Sequence, residues 1–390
     1  MHVIADTSRL TEEGIIDAAQ AREIEARGRE AMVRLAINTI LCGGILAATG
    51  GLIWLLGTPF SVALAGLVFI GGGVTVLRKS QTFAMFGQAA TLIGAGLLTG
   101  GATAELLLSY ADVAAPALVI LGGLLAALMV WVTARWPGFV TGSILLMGLA
   151  MHLGGLGYWL VESDASGITL PATYLYAALV LAAAGWWLDV RFVTALALIP
   201  FAQMLATSTD YWRATYAFYS PESTLSILQM AALTAAALWV AAHASERTAR
   251  HAMILAVMAF IIANMCALVG SLWGDIVGET IWGPGYSWEY DGDFADWNAA
   301  RTEFRATALR ISDGVYSVLW ALALAVMVVW GALHARRGVF NVALTFAGIH
   351  AYTQLFETFG DEPLAYVIGG LGAIPVAWGL WRANRWLATA

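Results

Sequence analysis

His350, Gln354 and Glu357 stand at i, i+4 and i+7, a spacing that puts all three on one face of an α-helix. An imidazole titrates near neutral pH, and a half-buried carboxyl is raised towards the same range. A His and a Glu on one face can therefore pass a proton, or line a polar pocket with the Gln amide between them. The competing reading is structural. Gln and Asn side chains join membrane helices by hydrogen bonds, and Glu357 lies near Asp361 and Glu362, where a helix would meet outer water.

Other polar side chains also fall inside apolar runs. His152, Asn264 and Glu105 are further candidates for a substrate or proton pathway, beside Gln88, Gln203, Gln229 and Asn38. A charged side chain at the centre of a bilayer costs on the order of 2.5–3.5 kcal/mol, so such residues need a partner or a purpose. Of the six histidines, only His152 and His350 sit at depth. A bis-imidazole haem would have to use both, and no cofactor is assigned. Nor is any catalytic residue or metal ligand. The chain has no His-Glu-x-x-His helix, no Gly-x-Ser-x-Gly elbow and no phosphate loop ending in Gly-Lys-Ser/Thr. The run Asp291 to Asp296 opens like a calcium loop, but its Gly and terminal Glu positions do not match.

The elements that must position these groups are membrane helices. Hydrophobic residues make up 60% of the 390 and charged ones 12%, against about 25% charged in soluble domains. Crossing about 30 Å of hydrocarbon at about 1.5 Å per residue takes about 20 apolar residues. The sequence predicts an all-α, polytopic bundle of twelve such spans: 33–56, 59–77, 82–104, 113–133, 137–161, 170–188, 191–208, 223–243, 251–273, 314–333, 339–356 and 363–381. The junction at Asp189 between 170–188 and 191–208 is so short that a re-entrant or tightly hairpinned pair is an alternative. With the first 32 residues as a cytoplasmic helical segment and 33–390 as the bundle, fifteen of the nineteen Lys and Arg fall on the cytoplasmic side. Basic residues resist translocation, so an even number of spans and two cytoplasmic ends are expected. The net charge of −7 leaves no basic face for nucleic acid. Cys42 and Cys266 lie in apolar runs and read as small buried hydrophobes. The first 30 residues lack the apolar core and cleavage site of a secretory signal.

Two further features are legible. The outer loop 274–312 carries Trp282, Trp288 and Trp297 with Asp291 and Asp293, candidates for recognition at the outer face. Its second half has helical spacing, with Trp297, Phe304, Ala308 and Ile311 on one side. That pattern predicts an amphipathic helix in the outer interface and an ordered cap. The 41 glycines fall largely inside spans. Gly96 with Gly100, and Gly138 with Gly142, are four apart, as in close-packed membrane helix pairs.

At the N-terminus, Asp17 and Gln20 form a capping-box pattern. The reading is a short helix, a turn near Gly14 and a second helix from about Ala18. The segment Leu10, Gly14, Ile15, Ile16, Gln20 and Ala21, followed by glycine-rich spans and a closing WRANRW, resembles domain-of-unknown-function family 2157, a group of predicted bacterial membrane proteins. The resemblance implies a multi-pass protein of the bacterial inner membrane. It carries no activity or site residues across.

Three function classes follow. The first is a transporter for a small solute or ion, using the polar stripe on 339–356. The second is a non-catalytic scaffold or accessory subunit of a larger membrane complex, with other membrane proteins as partners beside the lipid bilayer. The third, an enzyme acting on a lipid-linked substrate, stands behind both. Tags on the two chain ends are expected to report the same cytoplasmic face in a protease-protection assay; opposite faces would break the even-span reading.

Overall fold

Among the described residues, eight of the twelve apolar stretches form helices long and apolar enough to cross a bilayer, and the chain is a helical membrane protein with one short β-hairpin and one short two-stranded ribbon. The structure is a computed structural model that describes residues 7–28, 51, 55, 57–79, 84–163, 165, 167–205, 208–212, 215–219, 222–285, 292–334, 337–359 and 362–389. These residues form two compact units, Met1–Ser163 and Asp164–Ala390.

In the first unit, α1 (Thr7–Glu12) and a second helix, α2 (18–28), flank a turn at Gly14, whose φ of 68° lies in the left-handed region open to glycine. The capping box forms as expected. Asp17 Oδ1 accepts from the N–H groups of Ala19 and Gln20, and Gln20 Oε1 accepts from Asp17 N–H. The expected span 33–56 lies outside the described residues apart from 51 and 55, as does Cys42.

Four membrane helices follow: α3 (Pro59–Lys79), α4 (Ala84–Ser109), α5 (Ala111–Arg135) and α6 (Phe139–Glu162). α3 packs on α4 and α5 on α6, with α4 also against α5 and α6. The glycines that set the α3–α4 contact are not the expected pair. A Cβ on Gly96 or Gly100 would meet nothing within 4 Å, and one on Gly138 only Thr141 Oγ1 at 3.9 Å. The α3–α4 seam instead uses Gly66 and Gly73 against Gly87, Gly94 and Gly101, spaced by seven. A Cβ on Gly66 would stand 2.5 Å from Leu98 N and 2.6 Å from the Gly94 carbonyl oxygen. Gly148 and Gly155, again seven apart, do the same for α6 against Ala126 and Val119 of α5. A seven-residue repeat keeps one seam facing its partner along two shallowly crossed helices; the four-residue pattern belongs to steeper crossings.

The second unit is built around α11 (Glu246–Trp273). This helix packs against α7 (Thr169–Leu188), α8 (Arg191–Leu196), α9 (Leu198–Gln203), α10 (Ser223–His243), α14 (Asp313–Leu333) and α15 (Arg337–Phe359). α15 packs in turn on α16 (Pro363–Thr389). Of the expected spans, 339–356 and 363–381 fall on α15 and α16, long helices that are not among the eight. The expected span 191–208 is corrected. It is two six-residue helices, α8 and α9, followed by a hairpin of β1 (Ser208–Trp212) and β2 (Thr215–Tyr219). The break at Ala197 has a local cause: Pro200 has no N–H to return to the carbonyl four residues back.

α7 stops just before this pair in a left-handed turn. Asp189 takes φ 55°, its N–H bonds the Trp186 carbonyl, and Val190 N–H bonds the Gly185 carbonyl. That pattern of bonds ends a helix in about three residues, and Asp is among the few non-glycine types that tolerate the geometry.

The segment 274–312, expected as an outer loop, begins and ends in paired strands. β3 (Asp275–Ile276) pairs antiparallel with β4 (Arg310–Ile311), and between them lie α12 (Glu279–Trp282) and α13 (Phe294–Thr307). The amphipathic helix forms, but it ends at Thr307. Ala308 is extended and Ile311 belongs to β4, so the last two members of the expected face do not continue it.

Gly66→Ala is expected to lower stability by about 1–3 kcal/mol through overpacking. Gly96→Ala, where the space is open, should leave stability unchanged or raise it by up to about 1 kcal/mol. Thermal unfolding in detergent checks both.

Candidate functional site

Three groups of polar side chains are spaced along α11, at its start, its middle and its end. The middle one contains the residues singled out from the sequence. Asn264 of α11 is buried, donates from Nδ2 to the Phe260 carbonyl at 2.8 Å and accepts from Trp320 Nε1 of α14 at 3.1 Å. The Trp320 ring meets His350 of α15 edge-on, with centroids 4.7 Å apart, and lies 6.3 Å from Phe346. His350 is only 9% exposed, and the backbone of Ser317 approaches its ring. Ser317 Oγ in turn donates to the Ser271 carbonyl of α11 at 3.2 Å. Among the described residues, neither His350 Nδ1 nor Gln354 Nε2 has a hydrogen-bond partner, and both atoms are buried. Around them Ala267, Leu324 and Ala343 complete an apolar core. The helical face expected from the sequence is therefore real over His350 and Gln354, while Glu357, farther along, is exposed.

Two other pathway candidates lie in the first unit and are engaged in joining helices. His152 of α6 donates from Nδ1 to the Val119 carbonyl of α5 at 2.8 Å. Glu105 of α4 accepts at Oε2 from the Phe60 N–H at 3.1 Å. There it caps the first turn of α3, where a carboxylate is favoured by the helix dipole.

At its start, α11 holds a group that sequence reasoning missed. His251 is buried, donates from Nε2 to Asp189 Oδ1 at 3.0 Å and meets the Thr194 hydroxyl with Nδ1 at 2.6 Å. Arg250 pairs with Asp189 Oδ2 at 3.2 Å. Arg247 donates to the terminal carbonyls of α7, at Trp186 and, at 2.6 Å, Trp187. His251 lies at a helix end in the sequence and reads there as interfacial; the tight turn at Asp189 is what brings a carboxylate onto it. The hydrogen bond from His251, followed by the charges of Arg250 and Arg247, holds the Asp189 carboxyl below its usual range.

The end of α11 holds two buried carboxylates, Glu222 and Asp275. Asp275 accepts from the backbone N–H of Thr224 at 2.8 Å, from the Thr224 hydroxyl and from Tyr316 Oη at 3.1 Å. Glu222 accepts from the N–H groups of Gly278 at 2.7 Å and Thr280 at 3.1 Å. These carboxylates tie the starts of α10 and α12 to the end of α11. Glu222 gives no sequence signal beyond an acid placed just before an apolar run.

Of the outer-loop candidates, Trp288 and Asp291 lie outside the described residues. Asp293 is the N-cap of α13, accepting from Asp296 N–H at 2.8 Å. Trp297 donates from Nε1 to the Gly285 carbonyl at 3.0 Å and lies beneath Arg301. Trp282 is largely exposed. Glu279 fixes α12 to α13 through Arg301 at 2.7 Å and a two-pronged contact with Arg305 at 2.9 Å.

No protein-family model, curated protein or solved structure matches the chain.

A carboxyl held below its usual range stabilises the fold fully above that range and loses the contribution as pH falls through the folded value. Asp189→Asn is therefore expected to lower the melting temperature at neutral pH and to have less effect as the pH falls below about 4. Melting curves across pH 3–7 check this; an offset that does not shrink in acid would show that the ionised carboxylate is not what holds the joint.

Proposed function

We propose that the chain is a carrier for a small solute with both ends on the cytoplasmic side, in the bacterial cytoplasmic membrane that its resemblance to domain-of-unknown-function family 2157 implies. Its substrate contact lies on the turn of α15 that carries His350 and Gln354. The observation that supports this reading is the pair of buried, unpartnered polar atoms on one helix face. An unsatisfied buried polar group costs about 1–3 kcal/mol, and a ligand arriving at both atoms would offset that cost. Asn264 and Trp320 hold the imidazole from behind, and Glu357 marks the exposed end of the same face. A second reading, a scaffold subunit of a larger membrane complex, is favoured by the outer segment, where Trp282 and Phe294 remain largely exposed on α12 and α13.

The test is flux through sealed phospholipid vesicles containing the purified protein, followed by light scattering for neutral solutes and by an internal pH dye for protons. Permeability to at least one solute should exceed that of protein-free vesicles. It should fall about tenfold with His350→Ala, equivalent to about 1.4 kcal/mol, and stay unchanged with Glu357→Ala. Vesicles no leakier than protein-free ones to every probe would remove the carrier reading, and stable co-purification with a larger complex would then carry the scaffold one.

A further inference from the structure

The α15 turn also restricts what kind of group it can hold, and this inference rests on the carrier reading above. A neutral imidazole carries one N–H and one lone pair, and Gln Nε2 is a donor only. His350 Nδ1 and Gln354 Nε2 are both buried and unpartnered, one helical turn apart. Residues at i and i+4 have Cβ atoms about 5–6 Å apart. One oxygen at hydrogen-bond distance, about 2.8 Å, from each nitrogen would satisfy both. An oxygen that donates to one side and accepts from the other is a hydroxyl.

Charge narrows the class further. No Asp, Glu, Lys or Arg occurs in 252–274, 314–333 or 338–356, the stretches of α11, α14 and α15 that surround the pair. A carboxylate or phosphate placed there would stand without a counter-charge, at a cost on the order of 2.5–3.5 kcal/mol, and an ammonium would find only the exposed Glu357, one turn beyond Gln354. A purely apolar ligand would leave both nitrogens unsatisfied. We propose that the turn from His350 to Gln354 binds an uncharged, hydroxyl-bearing solute of the small-polyol class. Its hydroxyl donates to His350 Nδ1 and accepts from Gln354 Nε2, with the Trp320 ring fixing the imidazole edge.

Glycerol is the probe, and two measurements separate the site from the transport. In protein labelled with nitrogen-15 at histidine, the His350 Nδ1 signal, assigned by its loss in His350→Phe, should shift on titration with glycerol and not with sodium acetate. Gln354→Leu should abolish the shift. In vesicles, glycerol entry should slow about tenfold with His350→Phe, which keeps a ring against Trp320, and with Gln354→Leu. Unchanged melting temperatures would show that both variants fold. A glycerol shift without glycerol flux upholds the site and overturns the carrier reading. Flux of acetate or protons with no glycerol shift upholds the carrier and overturns the hydroxyl assignment. Neither shift nor flux overturns both.

Discussion

Every polar group buried in a lipid-embedded bundle must find its partner inside the protein, because no water is available to it. In the second unit that requirement converges on α11, which touches six other helices. Its first turn supplies Arg247 to the open carbonyls of α7. Asp275, just past its end, supplies acceptors to the first turn of α10, and Asn264 near its middle anchors Trp320. The helix thus closes the ends of its neighbours as well as packing against their sides. Among the described residues five buried side-chain atoms lack a partner, on Gln229, Arg247, Thr280, His350 and Gln354, and only the last two lie one turn apart on a single helix.

The same requirement shapes the irregular stretch between α7 and α10. Asp189 lies beside His251 at one end of α11, and Thr224 lies beside Asp275 just past the other. The chain from 191 to 222 therefore travels from the level of His251 to that of Asp275, about 36 Å at 1.5 Å per residue, although α8 and α9 together supply only about 20 Å of helix. Of the hairpin that follows, β2 packs on α11. The Gln229 amide of α10 donates to the Phe201 carbonyl of α9 at 2.6 Å. Broken helices persist at membrane depth only where protein supplies such bonds.

Much of this could be read from residue patterns, and the failures have physical causes. The capping box at Asp17 and Gln20 is local in sequence and therefore legible. The eight apolar helices follow from length and composition, and the face shared by His350 and Gln354 from helical period. What escaped depends on which helices meet. Gly96 and Gly100 match a known spacing, but they face away from the seam that Gly66 and Gly94 define, and a single chain does not say which side of a helix is covered. Asp189, His251 and Thr194 are separated by up to 62 residues, and only a left-handed turn at an aspartate brings them together. Ala308 and Ile311 continue the amphipathic period on paper, but pairing of β4 with β3 ends the helix first.

The seven-residue glycine seam has a mechanical consequence. Where α3 and α4 close backbone against backbone at Gly66, Gly73, Gly94 and Gly101, only Ile70, Leu77 and Thr91 reach into the seam, and little side chain is left there to reorganise as one helix slides. Sliding would drive Cα and carbonyl atoms over one another, so the two helices behave as a single stiff rod. If this protein changes shape in the membrane, the bending must occur at joints elsewhere, and this pair will be carried along as a lever.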